Sequence, residues 1–344
     1  MVDFLVIGAG ITGLAIAWEL HRRGAQVMVC DRNPNQAAAL AAAGMLAPQA
    51  EKLPPGPMFE LCWRSLLLYR DWINQIEQAT SLKTGYWESG ILAPCYQKQP
   101  NSLGWQDRLT LEQYCPGLGE AVVGGYWYPE DAQVDNRSLH HSLRVAVVNA
   151  GIPLHQVEVK DMDYSQGAIT GLRTNLGLIR AERYILATGA WSQSLFDIPV
   201  YPKKGQMLSV QMPPDLRIKT VLYGEEVYLV PRQDGRLIIG ATVENVDFLP
   251  GNTPQGINQL LGAALCLYPA LANAPIQEMW WGFRPASPDE MPILGPSPYT
   301  NLTLATGHYR NGILLAPITA QLIAEYLSTG TPPELLSAFS WQRF

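Results

Sequence analysis

Residues 1–31, MVDFLVIGAGITGLAIAWELHRRGAQVMVCD, read as one complete dinucleotide-binding unit. The apolar run from Phe4 to Ile7 predicts a buried strand. Gly8-Ala9-Gly10-Ile11-Thr12-Gly13 follows, then a helix with apolar periodicity from Leu14 to Arg23. Gly24 ends that helix, and a second strand, Gln26 to Cys30, runs into Asp31. Gly8 permits the tight turn, Gly10 lets the backbone approach a pyrophosphate, and Gly13 lets helix and strand pack closely. The helix N-terminus then presents N–H groups and the positive end of its dipole to phosphate. Asp31, eighteen residues past Gly13, can accept hydrogen bonds from an adenosine ribose, and Arg32 beside it suits a 2′-phosphate. A bare GxGxxG is weak evidence. The strand before it, the helix after it and the acid beyond make this one specific.

Outward from this unit, 35–48 (NQAAALAAAGMLAP) has a small residue at almost every position, which suits backbone lying against a flat ligand. Residues 58–79 form an amphipathic helix whose aromatic residues belong to the core. From about 83 to 134 the pattern is short strands and turns. Asp135 and Asn136 can cap a helix that Gly151 terminates. A β-meander with turns at Gly167 and Gly177 leads to the strand Arg183 to Leu186 and the turn Ala187-Thr188-Gly189-Ala190. Residues 205–245 are strand-rich, and a helix spans 254–267. Strand Leu302–Thr306, loop Gly307 to Gly312 and a helix over 313–327 close the chain.

The chain returns twice to its first fold after sheet-rich excursions. The expected fold class is therefore α/β: a Rossmann-like nucleotide domain (1–82, 135–204 and 282–344) with an interleaved substrate domain (83–134 and 205–281) built on a large antiparallel or mixed β-sheet. Ligands in such folds lie at strand C-terminal ends, where domains meet.

Composition narrows the function. Hydrophobic content of 47% with 16% charged residues describes a well-buried globular chain. A net charge of −6 and a pI near 5.4 argue against a nucleic-acid surface. No apolar run reaches membrane-spanning length, and Asp3 with the early glycines argues against a signal peptide. Cys30, Cys62, Cys95, Cys115 and Cys266 show no CxxC spacing and read as thiols in a reducing cytoplasm. None of the five histidines has metal-ligand spacing, so no metal is expected.

The Gly8 motif does not choose between NAD and FAD. Two later features favour a flavin. ILATGAW (185–191) is a strand followed by a small-residue turn near the first motif. GHYRNG (307–312) is a second glycine-flanked turn that opens a helix, and its N-terminus would stabilise a flavin's anionic edge. An ordinary strand–helix loop explains that turn equally well.

Several segments together carry a resemblance: VIGAGITG, AAAGMLAP (41–48), ILATGAW, PKKGQMLSV (202–210), VYLVPRQDGRLIIGAT (227–242), GFRPASPDEMPILG (282–295) and GHYRNGILLAP (307–317). The chain resembles the D-amino-acid-oxidase-like family of flavin amine oxidases, most closely its glycine oxidase branch, which feeds thiazole synthesis in thiamine formation. The resemblance implies FAD, with Ile11 and Thr12 at the pyrophosphate and Asp31 and Arg32 near the ribose. It implies Ala43, Gly44 and Met45 beside the flavin and Val157 in backbone contact with the adenine. His308, Tyr309, Arg310, Asn311, Gly312, Ile313 and Leu314 would wrap the isoalloxazine edge. It implies Arg284, Tyr228 and Arg310 at the substrate carboxylate. The chemistry agrees, because a carboxylate in a partly dry pocket needs a counter-charge and a guanidinium binds it bidentately.

The implied reaction is oxidation of glycine, or of sarcosine and small D-amino acids, to the imino acid, with O2 as electron acceptor and hydrogen peroxide as product. No side-chain acid or base is required once the amine is neutral. Noncovalent FAD is expected, since no cysteine follows Cys266. Ala39 and Leu40 stand where relatives commonly carry Ser or Thr, which removes a side-chain contact to the cofactor, and Ala47 and Val243 are expected to set the pocket's size. A homo-oligomer and a thiazole synthase partner are further implications. Competing readings are a dehydrogenase passing electrons to a quinone, a non-catalytic flavin-binding protein, and an NAD-dependent enzyme.

Overall fold

The computed structural model describes residues 2–344. Its first sheet has six strands in the order Ile293–Pro296, Leu302–Thr306, Ala181–Leu186, Val2–Ile7, Val27–Asp31, Leu154–Gln156. All pair in parallel except Ile293–Pro296. Val2–Ile7 lies between the second strand in sequence and one that returns after 150 residues, so the strand order reverses beside it. That reversal opens a crevice at the strands' C-terminal ends.

Helices Ile11–Arg22, Pro57–Thr80, Asn136–Asn149 and Gly312–Thr329 bury their apolar faces in one core. A three-stranded antiparallel sheet, Val159–Ser165, Ala168–Thr174 and Gly177–Ile179, seals the opposite side through Met162, Ile169 and Leu172. Gly312–Thr329 is long and apolar enough to cross a membrane, contrary to the reading that no such run exists. Two thirds of it is buried in the core, which accounts for its composition.

The second sheet has eight strands, ordered Ile276–Ala286, Tyr201–Gln211, Arg236–Gly240, Tyr228–Pro231, Val221–Tyr223, Ile91–Cys95, Gly124–Tyr128, Gln106–Asp107. Only Val221–Tyr223 with Ile91–Cys95 is parallel. The strand period of two sorts its side chains cleanly. Leu208, Leu222, Leu229, Leu237 and Ile239 pack away from the first sheet, against Leu260, Ala264 and Leu267 of helix Pro254–Leu267. Their alternates Met207, Val221, Val230 and Ile238 meet Ala43, Ala47 and Ala50 on the other face, and Tyr223 and Tyr228 join them. This α/β architecture, a nucleotide-type unit with an interleaved mixed sheet, is the one expected.

Local departures have local causes. The short helix Arg108–Tyr114 was not expected; Asp107 caps it by accepting from the Thr110 N–H at 2.9 Å. Leu154–Gln156 leaves the meander to extend the parallel sheet, with Gln156 opposite Asp31. The glycine-loop helix begins at Ile11 rather than Leu14, since Gly10 is already its N-cap. Asp135 caps the next helix as expected, accepting from the Arg137 and Ser138 N–H groups, whereas Asn136 is the first helical residue.

Candidate active site

One cavity of about 860 Å³ runs from the glycine turn to the inner face of the second sheet. At its first end, Gly8 donates to the Cys30 carbonyl at 2.7 Å and Ala187 to the Ile7 carbonyl at 2.9 Å, which draws three strand ends together. A Cβ on Gly8 (φ +112°) would stand 2.3 Å from the Ala187 oxygen, and one on Gly13 would stand 1.9 Å from the Gly8 oxygen. A Cβ on Gly10 meets nothing within 4 Å, because Gly10 faces the cavity. No side chain caps the helix that starts there. A cradle of this shape, open at Gly10 and closed behind Gly8 and Gly13, fits a pyrophosphate at the helix N-terminus.

Asp31 stands beside the cradle. One of its carboxylate oxygens accepts from the Ala9 N–H at 2.6 Å and the other from the Asn33 N–H at 2.7 Å. The remaining lone pairs are what it has for a ribose. Arg32 stacks over the Trp191 ring at 4.6 Å, and both line the cavity. Val157 lines it too, but its N–H donates to the Asp31 carbonyl at 2.9 Å, so a backbone contact to a ligand has to go through the Val157 carbonyl.

The small-residue segment is held by its carbonyls. Asn136 donates to the Ala39 oxygen at 2.7 Å, Arg137 to Leu40 at 3.1 Å, Trp280 to Ala41 at 3.2 Å, and Arg232 to Ala43 at 2.7 Å. Gly44 (φ +77°) has no room for a Cβ, which would fall 2.0 Å from the Val134 oxygen. Arg232 is a residue that motif reading missed. Its buried guanidinium also reaches Gln133 and Asn136 and pairs with Asp135, and burial lowers its pKa to about 10. The only sequence signal was a charge closing an otherwise apolar strand, VYLVPR.

At the other end stand Arg284, Tyr228 and Arg310, all three lining the cavity. Arg284, paired in register with Lys203, donates to the Thr242 carbonyl at 3.0 Å. Its guanidinium lies flat over Gly205, where a Cβ would stand 2.5–2.7 Å from Nη1, Nη2 and Cζ. Tyr228 is cleared in the same way by Gly240, its partner in register. Burial raises the Tyr228 phenol against the pull of the Arg284 and Arg310 charges, so it stays protonated and can donate. Arg310 donates to the Tyr309 hydroxyl at 3.3 Å. Burial opposes its charge, but Tyr309, Glu51 and Tyr223 outweigh that and hold it protonated.

The loop that carries Arg310 is fixed where Tyr309 (φ +47°) donates to the Pro285 carbonyl at 2.8 Å, one residue from Arg284. His308 contacts the cavity, but its buried ring lies against Thr319 at 3.2 Å, and burial lowers its pKa to about 4. It is a neutral core histidine. Tyr309, Gly312, Ile313, Met45 and Gly189 also line the cavity. Gly13, Asn311 and Leu314 do not: Gly13 packs helix on turn, Asn311 is the N-cap of the last long helix, and Leu314 is in the core. Val243 borders the cavity, whereas Ala47 sits behind it and accepts from the Glu51 N–H. Sequence reading also missed Glu51 and Tyr223, which face the arginines.

Comparison with known proteins finds relatives of the whole chain and of its fold. The bifunctional protein ThiO/ThiG of Trichormus variabilis is 52% identical over 99% of this chain, which covers 55% of that protein. The chain thus spans about half the length of the bifunctional relatives it matches. Glycine oxidase of Pseudomonas aeruginosa is 32% identical, with 95% of each chain covered. The crystal structure of glycine oxidase from Geobacillus kaustophilus superposes with a TM-score of 0.94 at 30% identity, covering 100% of this chain and 99% of that one. The family profile described as DAO, FAD dependent oxidoreductase, matches residues 3–326, and the chain belongs to that family.

Proposed function

We propose that this protein oxidises glycine to the imino acid with FAD, in the branch of metabolism that supplies the thiazole of thiamine. The observation that carries the reading is the meeting of Arg284, Arg310 and Tyr228 at one end of the cavity that Gly10 and Asp31 open at the other. Relatives named glycine oxidase and ThiO/ThiG support it.

The residues fit FAD. Gly8, Gly10, Ile11 and Thr12 would hold the pyrophosphate, backed by Gly13. Asp31 and Arg32 would hold the ribose, and Val157 the adenine. Ala43, Gly44, Met45 and Gly189 would flank the isoalloxazine with the stretch from His308 to Leu314, in which Asn311 and Leu314 act from behind the cavity wall. FAD, when bound noncovalently, supplies the two-electron acceptor. The chain supplies orientation: two guanidiniums and one phenol fix the substrate carboxylate, which fixes the α-carbon. The close walls formed by Tyr223, Tyr228 and Met207 favour small substrates, sarcosine and small D-amino acids among them.

Four further parts belong to the same reading: O2 as acceptor with hydrogen peroxide as product, a cytoplasmic homo-oligomer, a thiazole synthase partner, and a division into an FAD unit (1–82, 135–204, 282–344) and a substrate unit (83–134, 205–281). Anaerobic stopped-flow mixing with glycine tests the core of it. Bleaching of the flavin is expected, with peroxide formed once air is admitted. A flavin that stays oxidised at millimolar glycine removes the assignment.

A further inference from the structure

The two arginines share their end of the cavity with a carboxylate that no motif marks. Glu51 lines the cavity with Arg284, Arg310, Tyr223 and Tyr228. The other acids of the cavity lie elsewhere. Asp31 is bonded to the glycine turn, Glu158 follows Val157, and Glu225 and Glu226 are exposed at the rim. Glu51 closes no ion pair within 4.0 Å among the described residues; the Arg310 and Arg284 charges and the Asn311 side chain act on it across the cavity end.

The fold holds Glu51 in place. Its N–H donates to the Ala47 carbonyl at 3.0 Å. The fully buried Asp131 accepts from the Gln49 and Ala50 N–H groups at 3.3 and 2.8 Å. The next residue, Lys52 (φ +51°), turns outward over the Tyr126 ring at 4.4 Å. A turn pinned this tightly sends one charged side chain inward and the next one out.

A zwitterionic amino acid entering this end brings an ammonium as well as a carboxylate. Beside two guanidiniums that ammonium is a like charge in a partly dry site, and it needs an opposite one. We propose that Glu51 is the amine-side pole of the site: its carboxylate binds the substrate ammonium and accepts its proton, leaving the amino acid held with a neutral amine. The inference rests on the glycine-oxidation reading and adds to it a group that touches the substrate.

In this step one N–H bond of the substrate breaks and one O–H bond forms on Glu51. The electron pair stays on nitrogen, and nothing is oxidised or reduced. The groups that face Glu51 come from every side: Arg310 and Asn311 from the 307–312 loop, Arg284 from Ile276–Ala286, Tyr223 and Tyr228 from adjacent strands, Cys62 from Pro57–Thr80, and Asp131 from beside its own turn. Burial raises its carboxyl pKa against the pull of Arg310, Asn311 and Arg284, which suits a proton acceptor.

The test compares flavin-loaded wild type with Glu51→Gln against two ligands, glycine and glycolate, the second having the carboxylate without the amine. Glycine is followed by flavin reduction and glycolate by the shift of the flavin spectrum. In Glu51→Gln at neutral pH the apparent affinity for glycine is expected to fall by about tenfold or more, from loss of a charge-assisted contact. Glycolate should stay within about threefold, since its neutral hydroxyl brings no positive charge for Glu51 to pair. The glycine defect should narrow as rising pH supplies neutral amine from solution. Glu51→Asp, which keeps the charge should the amide disturb the fold, should restore part of the preference for glycine. The proposal is overturned if both ligands weaken together, if neither changes, if the defect is the same at every pH, or if Glu51→Asp is no better than Glu51→Gln. A wild type that binds glycolate but is not reduced by glycine defeats the parent reading instead.

Discussion

Gly205→Ala separates the grip on the substrate from the stability of the fold. The added methyl would stand 2.5 Å from Arg284 Nη1, 2.6 Å from Nη2 and 2.7 Å from Cζ. Ordinary contact needs about 3.5 Å, so the guanidinium must retreat by about 1 Å. It is the far end of a flexible side chain, and Gly205 has ordinary strand geometry, so the backbone need not move. The retreat strains the 3.0 Å bond from Nη1 to the Thr242 carbonyl and spoils a two-pronged hold on a carboxylate. Loss of one hydrogen bond to a charged group costs about 1.5–3 kcal/mol, or about 10- to 150-fold in apparent affinity. The melting temperature should hold or rise slightly, since alanine restricts the unfolded chain. The assay is KM for glycine together with a glycolate titration and thermal melting of the same preparation. An unchanged KM in a folded, flavin-loaded Gly205→Ala would refute the placement of the carboxylate under Arg284.

Other expectations follow from the same geometry. Arg284→Ala should keep FAD yet lose about 2–5 kcal/mol of carboxylate binding, read as the shift in glycolate Kd; an unchanged Kd places the carboxylate elsewhere. Gly10→Ala and Gly13→Ala should differ in kind. The first has free space and φ −69°, so it should fold with normal thermal stability and release FAD more readily. The second drives a methyl to 1.9 Å from a backbone oxygen and should lower the melting temperature of the apoprotein. His308 makes the fold acid-sensitive. Its folded pKa of about 4 lies below the 6.5 of an unperturbed histidine, so the unfolded chain binds more protons between those values. That stability is fully present above pH 6.5 and is lost as pH falls toward 4, up to about 3 kcal/mol. Urea midpoints at pH 7 and pH 4.5 should diverge less in His308→Asn than in the wild type; equal divergence would remove His308 as the cause.

The parts of this molecule that were legible in the sequence are those whose chemistry is local. The glycine unit declares itself because strand, turn, helix and acid lie within 31 residues. Arg284, Tyr228 and Arg310 are spread over 83 residues, and only resemblance joined them; the structure joins them through strand register and the Tyr309–Pro285 bond. Glu51 was invisible because its position depends on Asp131, eighty residues away, and a glutamate in a polar turn ordinarily reads as solvated. Arg232 was hidden for a similar reason, since its partners Ala43, Gln133 and Asn136 come from two segments 96 residues or more away in sequence. Gly205 and Gly240 did carry a usable signal. A glycine inside a strand pattern marks close approach, here by Arg284 and Tyr228. The helix Arg108–Tyr114 was missed because seven residues are too few for periodicity to outweigh the strands around them.

The most direct measurement is a crystal structure of the flavin-loaded protein with glycolate bound. The ligand's carboxylate should lie about 2.7–2.9 Å from guanidinium nitrogens of Arg284 and Arg310 and within hydrogen-bond reach of the Tyr228 hydroxyl. The flavin dinucleotide should thread from there to Gly10 and Asp31. A carboxylate bound away from all three side chains, or a cavity in which Gly10 faces no phosphate, would contradict the account.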